Sequence, residues 1–232
     1  MAVTVQSVLD RVQQTLQDTG GIRWSSTAEL ILWVNDAQRE IALIKPDATA
    51  TNTTVTLAAG TKQSIPAGGN RLLSVVRNMS AASSGTGKRT VRLVSRDILD
   101  SLEPSWHDPA VKGDAKHGTS VKHFMYEDQD PRNFYVYPGV SGNAYLEIIY
   151  SANPATIAAN ANLGVPDIYA TAVMNYVLYM CYMKDSEFVA NQQRANSHFN
   201  LFMSTVTGKS QIDTTTSPNT NTTPQAQISG VG

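Results

Sequence analysis

The residues with chemical potential are few and scattered. Ser84-Gly85-Thr86-Gly87-Lys88-Arg89 is the nearest approach to a phosphate-binding loop. That pattern requires a glycine where Ala82 stands and a serine or threonine where Arg89 stands. Without them the run reads as a small-residue loop between strands. The four histidines, His107, His117, His123 and His198, are not spaced to share a metal with one another or with Cys181, and no HExxH or CxxC motif occurs. They read as loop histidines at a solvated surface. Glu127, Asp128 and Asp130 would suit a calcium loop or a carboxylate pair. The following Pro131, and the lack of a bidentate glutamate at EF-hand distance, favour a solvated turn. No Gly-x-Ser-x-Gly elbow is present. Asn52, Asn78 and Asn221 match a glycosylation pattern by chance. The reading is of a protein that is not an enzyme, with no cofactor and no metal.

The elements behind these residues are more informative. Pro166 to Met183, PDIYATAVMNYVLYMCYM, is apolar almost all round. A helix without a polar face must be covered on every side. The run from Ile168 to Met183 is 16 residues, short of the ~20 that span a membrane. Its cover is therefore expected from other helices of the chain, from a neighbouring copy, or from both. Pro166 suits the first helical position and Asp167 the positive end of the dipole.

Val5, Val8, Leu9, Val12 and Leu16 form the stripe of a first helix ending at Gly20-Gly21. Ser26-Thr27-Ala28-Glu29 reads as a capping box. Behind it Leu30, Val34, Ala37, Ile41 and Ile44 stripe a second helix, stopped by Lys45-Pro46. From Pro46 the pattern is that of strands. A hairpin is expected around Ala58-Ala59-Gly60-Thr61 and strands at residues 72–76 and 91–94. A short capped helix follows from Ser95, then a long loop over 105–120. A meander is expected from strands at 121–126, 134–137 and 144–151, separated by turns at Asp130-Pro131 and Pro138-Gly139. A small-residue linker leads to the apolar helix. A last helix starts near Asp185-Ser186-Glu187, with Phe188, Ala195, Phe199, Phe202 and Val206 on one face. Residues from Gly208 onward are polar and nearly chargeless, too poor in apolar area to offset the entropy of ordering.

The expected fold is α+β. The N- and C-terminal helices, residues 1–47 and 152–207, form an antiparallel helical bundle. An antiparallel β-rich domain, 48–151, is inserted between them, and 208–232 is a disordered polar tail. Charged residues make up 16% of the chain and the formal net charge is −1, against the ~25% charged content usual in soluble domains. That balance argues against a protein built to grip phosphate backbones. The single cysteine, Cys181, reads as a buried hydrophobe. The N-terminus has no charged start and apolar block of a signal peptide, which makes a cytoplasm the expected place of folding.

The succession WSSTAELILWVNDAQREI, a β block with FYVYP, then VPDIYATAVMNYVLYMCYMKDSE resembles the head–tail adaptor (connector, tail tubular protein A-like) family of short-tailed bacteriophages. The likeness covers most of Val3 to Val206. It implies a structural virion protein in the neck or tail, assembled in the host cytoplasm, with no membrane partner. Copies of the chain, twelve in the usual case, would ring the portal and receive the tail nozzle or tube, with genomic DNA passing only as cargo. Under that likeness Trp24, Trp33, Tyr169, Tyr176 and Tyr179 are candidates for the subunit interface. Gln211, Ile212, Gln225 and Ile228 are candidates for portal binding. The residues leave two other classes open. One is a ligand- or carbohydrate-binding module with its site at the Trp106 loop. The other is a hydrolase with an acid pair at Glu127 and Asp130.

Overall fold

The computed structural model describes residues 3–24, 29–187 and 189–216. The fold is α+β, and the chain divides into two compact units, Met1–Lys45 with Thr156–Gly232, and Pro46–Ala155.

The first unit is helical. Helix α1, Val5–Thr15, is capped by Thr4, whose Oγ1 accepts the Ser7 N–H at 3.2 Å. Val5, Val8, Leu9 and Val12 are buried as their spacing predicts. The helix stops at Thr15 and not at Gly20, because the Asp18 carboxylate takes over. It accepts the backbone N–H groups of Ile22, Arg23 and Trp24 at 2.8–3.0 Å and turns the chain. Helix α2 spans Ile31–Ile44 and buries Val34, Ala37 and Ile41. Ser26, Thr27 and Ala28 of the expected capping box lie outside the described residues. The Glu29 carboxylate is bonded to Lys184.

The apolar segment opens with a 3₁₀ turn, Asp167–Tyr169, and continues as α4, Ala170–Lys184. Pro166 thus precedes a 3₁₀ turn and not the α-helix itself. Asp167 accepts the Val3 N–H at 3.0 Å, which ties the start of the chain to this turn. Helix α5, Val189–Thr216, follows a short connection. The ring pairs Tyr182–His198, Tyr179–Phe199 and Tyr176–Phe202 run in opposite senses along the two helices, so α4 and α5 are antiparallel. With α1 and α2 also against it, α4 buries Ala172, Val173, Val177, Leu178 and Cys181.

One expectation fails here: the last helix, described from Val189, does not end before Gly208. That glycine lies inside α5, where the last turns are held by Asp213 bonding to Lys209 and Lys45. Residues 217–232 lie outside the described residues. The small-residue linker before Pro166 is also pinned to its neighbours. Asn35 exchanges bonds with the Ile157 backbone (2.9 and 3.2 Å), and Gln38 accepts the Gly164 N–H at 2.6 Å.

The second unit is two four-stranded sheets. The strands are β1 Ala50–Thr56, β2 Gly60–Ser64, β3 Gly69–Met79, β4 Gly87–Thr90, β5 Arg92–Leu93, β6 His123–Tyr126, β7 Asn133–Val140 and β8 Tyr145–Ala152. One sheet has the order β1-β8-β3-β4 and the other β2-β7-β6-β5. All pairs are antiparallel except β5 with β6, which is parallel and departs from the wholly antiparallel expectation.

The expected hairpin does not form, and of the expected meander only the antiparallel β6–β7 pair does. Strands β1 and β2 are not a hairpin, and β8 leaves the meander to join the other sheet. The reason is burial. At the two crossings Leu57 and Ala144 are both buried, and the Leu57 N–H donates to the Ala144 carbonyl at 2.9 Å. Crossing there lets Leu72, Val75, Leu146 and Ile148 of one sheet meet Phe124, Phe134, Val136 and Val140 of the other in one core. A flat hairpin and meander would leave that face in water. The Gln63 amide holds the first crossing by bonding both the N–H and the carbonyl of Ala58, each at 2.8 Å. Helix α3, Arg96–Leu102, and the following segment form a second small core of Leu99, Trp106, Ala115, Met125 and Tyr137.

Candidate interaction surfaces

The residues singled out for chemistry are tied to structural partners. Ser80 to Thr86 closes the β3–β4 connection, where the Thr86 N–H donates to Ser80 Oγ at 2.7 Å. Each carboxylate of the acidic turn faces a cation: Glu127 with Arg96 at 2.8 Å, Asp128 with Arg71 at 3.3 Å, Asp130 with Lys62 at 3.8 Å. Asn78 is not a glycosylation acceptor in form. Its buried amide bonds the Arg89 carbonyl and both backbone groups of Val121 at 2.8–2.9 Å.

The histidines correct the expectation of a solvated surface. His117 is buried, His123 and His198 are half-buried, and only His107 is exposed. The His117 ring lies against Gly139, where any Cβ would collide with it at 2.4 Å, so the glycine after Pro138 is required by close approach. His198 sits on the Tyr182 ring, and its Nδ1 bonds Asn175 Oδ1 at 2.9 Å. The Asn175 amide nitrogen is committed to the Thr171 carbonyl, so the ring nitrogen is the donor. Burial holds His198 below the usual histidine range. At the exposed His107, partial desolvation against the Trp106 and Tyr135 rings, then the nearby Arg96 charge, acts in the same direction. Burial also pushes the Cys181 thiol up to about 12.

Trp106 is fully enclosed, with its indole N–H on Asp100 at 2.8 Å. An enclosed indole offers no stacking platform, which removes the anchor of the carbohydrate-binding reading. What remains beside it is an open cleft of about 910 Å³, lined by His107, Pro109, Val111, Lys112 and Val140.

The interface candidates fall into three groups. Trp24 and Tyr169 are interior, at 4% and 3% exposure, so neither offers area to a neighbour. Trp24 packs against the half-buried Trp33 with ring centres 5.8 Å apart, under Lys184 at 5.1 Å. Tyr176 and Tyr179 are half-buried and stand 5.9 Å from each other. Their other faces meet Phe202 and Phe199 of α5. Burial, then the charges of Glu40 and Asp36, pushes the Tyr176 hydroxyl above its usual range. Gln211 and Ile212 are exposed on the last turns of α5, while Gln225 and Ile228 lie outside the described residues.

Further exposed apolar residues stand outside the sequence-predicted candidates. Leu32 and Leu43 stand on the outer side of α2, and Leu201 joins Ile212 on α5. The signal was available in both helices. Leu32 and Leu43 lie off the inward stripe of α2. Over its 28 residues α5 carries only three full charges, Arg194, Lys209 and Asp213. Gln192, Gln193, Ser197, Asn200, Ser204 and Thr207 are exposed on it. A long solvent-facing helix side with so little charge suits cover by another protein surface.

The described residues contain no helix long and apolar enough to cross a membrane. A comparison with curated proteins returned no match. The family model described as SU10 adaptor protein matches residues 3–224, nearly the whole chain, across both the helical and the β unit. With a match of that extent the chain belongs to the SU10 adaptor protein family, a family of structural adaptors of phage particles.

Proposed function

We propose that this chain is a head-to-tail adaptor whose copies, twelve in number, form a ring between the portal and the tail nozzle or tube. An axial channel lets genomic DNA pass without being held. The family match carries this reading. The outer side of α5, long, polar and nearly chargeless, supports it. A ring closes through heterologous contacts, so one side of each copy meets a different side of the next. Trp33, Tyr176 and Tyr179, which keep part of their surface free, belong to that contact together with Leu32 and Leu43. The N- and C-terminal helices act as one antiparallel bundle in the ring. Gln211 and Ile212 at the end of α5, with Gln225 and Ile228 beyond, reach the portal. A net charge of −1 suits a conduit that releases its cargo. The protein acts in the neck or tail of the virion, after assembly in the host cytoplasm, and catalyses nothing.

The test is particle mass and negative-stain imaging of the purified chain, alone and mixed with portal rings. The expected result is ring-shaped particles, or portal rings with an added annulus. A chain that stays monomeric and never joins portal overturns the proposal.

A further inference from the structure

The two sheets have four edges, and three are protected. Strand β4 places Lys88 and Arg89 on its edge. Strand β2 has Lys62 at its centre and a break in register between Gly60 and Lys62. Strand β5 is two residues long and contains Arg92. Charges, bulges and shortness are the ordinary means by which a sheet edge refuses a further strand. The edge at β1 uses none of them. Its seven residues, ATNTTVT, carry no charge and no proline, and they pair with β8 in unbroken register from Ala50–Ser151 to Thr56–Tyr145. Strand β8 is its only strand neighbour among the described residues. A long, flat, chargeless edge is a template for strand addition.

The sequence also supplies an occupant. Helix α5 is described to Thr216, and the sequence of residues 217–232 contains no charged side chain. Within them Thr220-Asn221-Thr222-Thr223 repeats the tetrapeptide Thr51-Asn52-Thr53-Thr54 of β1. Paired in parallel register, the two tetrapeptides set Thr against Thr and Asn52 against Asn221, and such like-residue ladders are stabilising. Pro218 and Pro224 bracket this run, the positions where proline is tolerated next to a strand. The seven residues from Ser217 to Thr223, extended, reach about 23 Å past Thr216. We propose that the outer edge of β1 receives Asn219–Thr223 of a second copy as an added strand. The proposal rests on the reading that copies of this chain assemble. It chooses the tail over a second β1 because pairing of two β1 edges is isologous and closes as a dimer, whereas a tail on a neighbouring edge continues around a ring.

The experiment mixes two full-length variants, Asn52→Cys and Asn221→Cys, and treats them with a short bismaleimide. Cys181 is buried and does not compete. Any link between positions 52 and 221 in this mixture joins two copies by construction. The expected result is that link, identified by mass spectrometry, and its near-complete loss when Thr220→Pro and Thr222→Pro are added to the donor. Thr54→Lys with Thr56→Lys in the acceptor, which gives β1 the charges β4 has, has the same expected effect. Absence of the 52–221 link overturns the proposal, as does a link that survives the prolines. A 52–52 link from Asn52→Cys alone indicates paired β1 edges and also overturns it. Particle mass of the same samples separates the two readings: rings without the link refute strand addition alone, and monomers refute assembly.

Discussion

Lys45 at the end of α2 and Asp213 near the end of α5, 168 positions apart, form an ion pair in which the lysine is buried to 3% exposure. Asp213 also bonds Lys209 one turn earlier. This is why α5 persists through Gly208 into a stretch whose composition alone predicts disorder. The bond from Lys209, then that from Lys45, holds the Asp213 carboxyl below its usual value of 3.8. A carboxylate with a depressed folded pKa contributes stability that is present above its unfolded value and is lost as pH falls through the folded one. Acidification below about pH 4 therefore frays the end of α5 before the rest of the unit. Asp213→Asn has the same effect at neutral pH. Amide hydrogen exchange over residues 207–216 is the measurement, with faster exchange expected there and unchanged exchange in α1.

Phe202 is 1% exposed and meets Tyr176 at 5.2 Å between ring centres. Removing it leaves a cavity between α4 and α5, so Phe202→Ala is expected to destabilise by about 3–5 kcal/mol. Phe199, 38% exposed on the same helix, loses less on truncation. Urea titration of the two variants should give midpoints in that order. Equal midpoints would refute the packing assigned to α5.

Asn78 connects β3 to the buried Val121, two residues before β6. Asn78→Ala leaves the buried Val121 N–H without its acceptor, which costs about 1–3 kcal/mol. The loss is expected in the β unit alone. It is read as faster amide exchange across residues 69–79 and 121–126, with the helices unaffected.

Cys181 is 1% exposed, and its thiol is pushed up to about 12 by burial first, then by the charges of Glu29 and Asp185. The thiolate is the reacting species. The native protein should therefore give no colour with Ellman's reagent at pH 8 over the time in which denatured protein reacts fully. A rapid native reaction would show that α4 is not enclosed.

Much of the helical unit was legible because the period of a helix is local. Val5, Val8, Leu9 and Val12 announce the inner face of α1, and Leu30, Val34, Ala37 and Ile41 announce that of α2. Phe202 and Val206 do the same for α5. The all-apolar run from Ile168 correctly demanded cover. The sequence did not say that the chain supplies most of it, through Phe199 and Phe202 on α5 and through α1 and α2. The sequence reading placed Trp24 at an interface and Trp106 at a surface site, and both are interior, since a tryptophan suits a core and an interface equally well. Only the positions of Trp33 and Asp100 around them decide.

By itself the sequence determined the α+β class, the helix faces, the presence of most strands, and a near-neutral net charge. Those properties depend on neighbours within a few residues and on composition. The tertiary structure alone decided which strands pair, why β1 and β2 part at Leu57, why β8 leaves β7 at Ala144, and how far α5 continues. Those choices depend on contacts between residues far apart in the chain, Leu57 with Ala144 and Lys45 with Asp213. Their free energy appears only when two distant segments leave water together.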